Sequence, residues 1–268
     1  MFTLAQLQEE RRLLIAQYGE ALGNALYEQE YLCSFDSAII GAVFGKELTE
    51  AKIMPVPYDS RYPVDTSWDL GVRDTTVILF WQVRGKKPYL IDWYAASDIG
   101  FDHFAEVLAS KPYYYGKHIG PHDVAERSKA TALSYAAHAE SLGVRFERMP
   151  NTRKQEQIAA ASILLKQAVI NADMENPPDN PYDDCAHVVN MLQQYAYSFD
   201  TKTRLLSRVP IHDHTSHYAD ALMTYAIYFV GSSHIPTRTG ALQGRFDNAP
   251  RLSQIHAMTG PRRKAAFG

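Results

Sequence analysis

Residues 64–95, VDTSWDLGVRDTTVILFWQVRGKKPYLIDWYA, decide the fold. Val64 to Leu70 reads as a short strand that ends at Asp69, and Gly71-Val72-Arg73-Asp74 has the composition of a turn. Thr75 to Val83 is dense in β-branched and aromatic residues and apolar on both faces at its centre, the pattern of a buried strand. Arg84-Gly85-Lys86-Lys87-Pro88 supplies a second turn, and Tyr89 to Ala95 a third strand. Three strands joined this closely predict an antiparallel meander.

Downstream, the pattern alternates. Phe101, Phe104, Val107 and Leu108 mark one face of a helix over Phe101–Ser110. Tyr115–Gly120 reads as a strand running into Pro121-His122-Asp123. A helix is predicted over Ser128–Leu142, closed by Gly143, then a fifth strand over Val144–Met149 and a long helix over Lys154–Ile170. A Pro- and Asp-rich loop, Asp173–Asp183, precedes a helix over Asp184–Tyr197. Residues 198–215 read as irregular with a hairpin as the alternative, and a last helix covers Ser216–Val230, with Leu222, Tyr225, Ala226 and Phe229 on one face. The order β-β-β-α-β-α-β-α predicts an α/β fold of the ribonuclease H-like (resolvase/integrase) type: a mixed five-stranded sheet flanked by helices.

Before the meander, Phe2, Leu4, Leu7, Leu13 and Leu14 recur at roughly helical spacing, a second apolar stretch runs from Tyr31 to Phe44, and Pro55, Pro57 and Pro63 mark an extended linker. The expected organisation is a helical segment with linker over 1–55, an α/β domain over 56–235 and a partly disordered basic tail over 236–268.

Composition excludes several classes. Hydrophobic residues are 46% and charged residues 21% of 268, as in an ordinary globular domain. Charged residues interrupt every apolar run long enough to cross a membrane, and Met1–Arg12 runs into Glu9, Glu10, Arg11 and Arg12 without the apolar centre of a signal peptide. Cys33 and Cys185 read as free thiols in a reducing compartment. No Gly-x-Ser-x-Gly elbow marks a serine hydrolase. The net charge of −3 argues mildly against a nucleic-acid partner, since phosphate neutralisation favours a basic surplus. Against that, Arg84, Lys86 and Lys87, and Arg262, Arg263 and Lys264, form local basic clusters, and carboxylates that await a metal add acidity.

Three carboxylates stand where such a fold converges. Asp69 ends the first strand, Asp123 follows the fourth, and Asp220 sits in the last helix. First and fourth strands are parallel neighbours in a ribonuclease H-like sheet, so Asp69 and Asp123 would emerge side by side, with Asp220 supplied from across that end. Phosphodiester hydrolysis needs a positioned water and charge neutralisation on the leaving oxygen. Two magnesium or manganese ions about 3.5–4 Å apart supply both, on oxygen ligands. Asp69 would bridge the two, Asp123 holding one and Asp220 the other; Asp74 is an extra or supporting ligand. Each residue also has a plainer reading. Asp69 could open a hairpin. Asp123 could cap a helix with Glu126 three residues on. Asp220 could pair with His217 on a solvent-facing helix. The run His212, Asp213, His214, His217 hints at zinc but reads better as a polar loop, because Cys185 is the only thiol nearby. Tyr113-Tyr114-Tyr115 could stack on bases, but reads better as split between core and surface.

Trp68-Asp69-Leu70-Gly71 with Asp74-Thr75-Thr76, Gly120-Pro121-His122-Asp123, and Ser216-His217-Tyr218-Ala219-Asp220-Ala221-Leu222 together resemble the three nuclease motifs of tailed-bacteriophage terminase large subunits. Their order and rough spacing match, and Met149 to Lys154 looks like that family's lead into a long helix. The resemblance covers about 64–230. Residues 29–35, with Gly41 and Phe44-Gly45, are similar to the end of the ATPase domain that precedes such a nuclease. The resemblance implies a DNA-packaging endonuclease that cuts concatemeric viral DNA at the start and end of packaging, in the cytoplasm of an infected bacterial host. It implies Asp69, Asp123 and Asp220 as ligands of two divalent ions (magnesium or manganese), with His122 and His217 supporting. It implies double-stranded DNA, the portal protein, the terminase small subunit and the packaging ATPase domain as partners, and no membrane. One departure stands out. Lys46, Lys86 and Lys117 follow glycines, but Glu47, Lys87 and His118 come next, where a phosphate-binding loop needs Ser or Thr. No ATPase activity is expected of this chain, which would be a fragment or the product of a split gene. The competing readings are another ribonuclease H-like nuclease or resolvase, and a non-catalytic docking module of a packaging motor.

Overall fold

The computed structural model describes residues 4–18, 24, 27, 41–71, 74–125, 134–200 and 205–233. Its elements in order are α1 (Leu4–Tyr18), α2 (Gly45–Glu50), β1 (Lys52–Ile53), β2 (Val64–Asp69), β3 (Thr75–Arg84), β4 (Lys87–Ser97), α3 (Phe101–Ser110), β5 (Tyr115–Gly120), α4 (Tyr135–Ser141), β6 (Phe146–Arg148), α5 (Lys154–Leu165), β7 (Val169–Ile170), α6 (Ala186–Gln194), β8 (Tyr197–Asp200), β9 (Leu205–Pro210) and α7 (His214–Ser233). The predicted meander is there: β2 pairs antiparallel with β3, and β3 with β4. The five expected strands all form, and β1 and β7, two residues each, widen the sheet to the order β1-β7-β4-β3-β2-β5-β6.

Strand β3 shows why the sheet is covered on both sides. Val77, Leu79 and Trp81 face one core with residues of α5, α6 and α7, while Ile78 and Phe80 face a second core with α3 and α4. This is the two-residue alternation of a strand buried on both faces. In the second core the Trp68 indole stacks on Phe101 and meets the rings of Phe104 and Phe146 edge-on. In the first, Trp81 stacks on Tyr225 of α7 with centroids 4.4 Å apart and planes 2° from parallel. The Tyr225 hydroxyl is buried there and has no hydrogen-bond partner among the described residues. An unpaired buried hydroxyl costs more than the hydrogen atom that replaces it. Tyr225→Phe should therefore raise stability by about 1 kcal/mol, read as a higher urea midpoint at an unchanged denaturant slope.

The predicted helix over Lys154–Ile170 is corrected. It stops at Leu165, and Gln167 and Ala168 turn back onto the Leu164 carbonyl. Val169 and Ile170 then pair parallel with both β1 and β4. A β-branched pair with an open slot on each side gains two ladders by leaving the helix. Residues 198–215 hold a hairpin, β8–β9, and the last helix begins at His214, where Asp213 caps it by accepting from the Thr215 amide and hydroxyl. The predicted Ser128–Leu142 helix is described from Tyr135, capped by Ser134, to Ser141. The Pro-rich stretch at 54–63 is extended but pinned. Asn171 Oδ1 accepts from the Val56 amide, and the Gln82 amide donates to the Asp59 and Tyr62 carbonyls. Residues 29–35, Val72, Arg73, Glu126, Cys33 and the basic tail lie outside the described residues. Among the described residues no helix is long and apolar enough to cross a membrane.

Candidate active site

β2 and β5 run parallel, with Ser67 level with Ile119, so Asp69 and the turn after Gly120 issue from the same end of the sheet. The chain turns sharply beyond Asp69: a Cβ on Gly71 would sit 2.6 Å from the Asp74 carbonyl, so only glycine fits this turn. Helix α7 packs on β2, β3 and β5 and places His217 and Asp220, three residues apart and thus on one face, at that end.

The sheet end and the helix enclose a cleft of about 300 Å³ whose walls include Asp69, His122, Asp123, Thr152, Lys154 and Asp220. His217 Nδ1 lies 2.8 Å from Asp69 Oδ2, their side chains 11% and 21% exposed. Burial pushes the Asp69 carboxyl above the ordinary range. The His217 hydrogen bond opposes that, and the Asp220 charge adds to it. The same bond, against burial, raises the His217 pKa. Across the cleft, Lys154 Nζ lies 2.6 Å from Asp220 Oδ1. Asp123 is exposed in the turn at 122–125, and it does not cap the described helix that follows, whose cap is Ser134. The structure thus brings Asp69, His122, Asp123 and Asp220 to one cleft, with His217 bonded behind Asp69. Asp74 is exposed in the turn beyond, outside the cleft wall.

The cleft's oxygen donors suit a hard divalent ion: three carboxylates and the hydroxyls of Thr152 and Thr224, with no thiol. Thr152 Oγ1 is buried in its wall without a hydrogen-bond partner among the described residues. Yet among the described residues no three His, Cys, Asp or Glu side chains gather closely enough to hold a metal. The physical reason is visible, since His217 holds Asp69 and Lys154 holds Asp220. The zinc hint fares no better: His212 Nδ1 pairs with Ser216 Oγ, and Cys185 is buried in the core. Tyr113 and Tyr115 are partly buried and Tyr114 is exposed, as the split reading expects.

Lys154 and Thr152 escaped the sequence reading. The signal was there for Lys154: a cation on the first residue of a helix opposes the helix dipole, so something beyond the helix must want it there. A larger hollow, about 530 Å³ beside Pro55–Tyr58, is less suggestive, because its buried Asp92 already accepts from Lys111, Tyr113 and the Trp93 amide.

The architecture is ribonuclease H-like: a mixed sheet between helices, with its β2–β5 parallel pair and last helix converging on one cleft. The chain shares this fold with large terminase nucleases. The P22 large terminase nuclease domain matches 72% of this chain and 93% of its own at 12% identity with a TM-score of 0.51. The large terminase of a thermophilic bacteriophage matches 71% of this chain at 15% identity with a TM-score of 0.50. This chain covers 45% of that terminase's length. No protein-family model and no curated protein sequence matches the chain.

Proposed function

We propose that the chain is a metal-dependent DNA endonuclease, the nuclease part of a terminase large subunit, cutting concatemeric viral DNA at the initiation and termination of packaging. The observation that carries this reading is the meeting of Asp69, Asp123 and Asp220 on one cleft in a fold shared with large terminase nucleases. Asp69, Asp123 and Asp220 would hold two divalent ions, magnesium or manganese. Bound there, the ions would supply neutralisation of phosphate charge and activation of a water. The chain's own residues do the rest. His217 orients Asp69 through Nδ1, the β2 and β5 ends fix the spacing of Asp69 and Asp123, and α7 carries Asp220 to them. His122, beside Asp123 in the cleft wall, would assist there. The organisation that goes with this reading is a nuclease domain over 56–235 preceded by the end of a packaging ATPase domain. The remaining partners are double-stranded DNA, the portal protein, the small subunit and the rest of the motor, in the cytoplasm of an infected host. ATP hydrolysis is not assigned to this chain, since Ser or Thr follows none of its Gly-Lys pairs.

The test is supercoiled plasmid incubated with manganese, with magnesium and with chelator. Nicking and linearisation only with metal is expected. A folded protein inert with both metals removes the catalytic claim and leaves the docking-module reading.

A further inference from the structure

We propose that Lys154 is a built-in counter-cation that occupies a metal ion's place at Asp220 and must be displaced before metal binds there, DNA phosphate being what draws it off. The inference rests on the metal-site reading above. The ammonium contacts Asp220 Oδ1 at 2.6 Å, the two side chains only 31% and 28% exposed. It therefore neutralises one of the three carboxylates assigned to metal, Asp220.

Nothing in the helix asks for it. As the first residue of α5, Lys154 presents its charge to the positive end of the helix dipole. Lysine is also the residue that can let go: its ammonium is a compact point charge on a flexible four-carbon stem, without the two-pronged grip that arginine takes on a carboxylate. Thr152 Oγ1, unpartnered among the described residues, is a further oxygen in the same wall that the closed pair leaves unused. A cation displaced from Asp220 stays over the cleft, where the phosphate of a bound strand would neutralise it. Metal and DNA then favour each other's binding, because each relieves a charge the other leaves unpaired. A nuclease so arranged keeps a poor metal site until DNA is present.

The experiment is titration calorimetry of Mn²⁺ into the full chain without DNA, with melting curves in chelator and in Mn²⁺. Lys154→Met should bind Mn²⁺ roughly fivefold to tenfold more tightly than wild type, since a part-buried ion pair no longer competes. Its melting temperature should rise more on adding metal than that of the wild type. Lys154→Arg should bind Mn²⁺ more weakly than wild type, because a guanidinium holds the carboxylate at two points. A merely structural lysine would not move the two variants in opposite directions. Equal or weaker Mn²⁺ binding by folded Lys154→Met, with wild type binding normally, overturns the role given to Lys154 and leaves the metal site standing. No Mn²⁺ binding by either wild type or folded Lys154→Met overturns the metal site itself. Should Lys154→Met not fold, Lys154→Arg decides: binding as tight as wild type overturns the proposal.

Discussion

Asp69→Asn is expected to keep the fold and lose metal-dependent cleavage of supercoiled plasmid. The loss should be at least about 10³-fold in rate, or ~4 kcal/mol of barrier. The change is nearly isosteric, and the carbonyl oxygen of the new side-chain amide can still accept from His217 Nδ1, which stands 2.8 Å from the present carboxylate. What disappears is the negative charge. Asp69 is the most buried of the three assigned ligands and its carboxyl feels the Asp220 charge, so it has the most to give a bound cation. Its neutralisation should not unfold the protein, because it also removes the Asp220 repulsion from a buried carboxylate. The checks are the nicking rate in Mn²⁺ and the melting temperature in chelator. A rate within a few fold of wild type, in a folded variant, takes Asp69 out of the centre. Asp123→Asn and Asp220→Asn are expected to lose cleavage in parallel, and normal cutting by either would remove that residue alone.

The parts that could be read from sequence are those governed by local periodicity. Val77 to Trp81 alternate between two cores because both faces of a central strand must be apolar, and that shows in the residues themselves. Phe101–Ser110 was readable end to end because Gly100 precedes it and its apolar stripe is clean. The convergence of the three carboxylates on one cleft was readable because Asp69 ends β2, Asp123 lies just beyond β5 and Asp220 lies in the second turn of α7, places that the fold brings together. Val169-Ile170 was not, because two residues after a helical pattern have no period of their own. Only the open slot between β1 and β4 makes them a strand. Lys154 was missed for the opposite reason: a lysine at a helix start looks solvated, and its partner is 66 residues away. The hydrogen bond between His217 and Asp69 likewise spans 148 residues; sequence placed His217 near the site but not behind that carboxylate.

Trp81→Ala should be the most destabilising single change in the domain, costing about 3–5 kcal/mol. A domain of this kind has only about 5–15 kcal/mol in total. The Trp81 side chain is 0% exposed, stacks flat on Tyr225, and donates from Nε1 to Ser67 Oγ at 3.1 Å. Truncation removes an indole between sheet and α7, leaves a cavity, and strands a buried serine hydroxyl. The consequence reaches the cleft through two elements. Trp81 pairs with Asp65 on β2, the strand that ends at Asp69, and Tyr225 lies five residues beyond Asp220 on α7. Trp81 is therefore the packing that sets the distance between the strand carrying one carboxylate and the helix carrying another. Urea unfolding should show a large fall in midpoint, and cleavage by the fraction still folded should fall too, since the His217–Asp69 contact depends on that docking. Trp81→Phe keeps an apolar ring against Tyr225 and should recover much of both. If Trp81→Ala instead costs less than about 1 kcal/mol, α7 is held by its contacts with α5 and α6 rather than by this stack, and the helix that brings Asp220 to the cleft is positioned from behind rather than from the sheet.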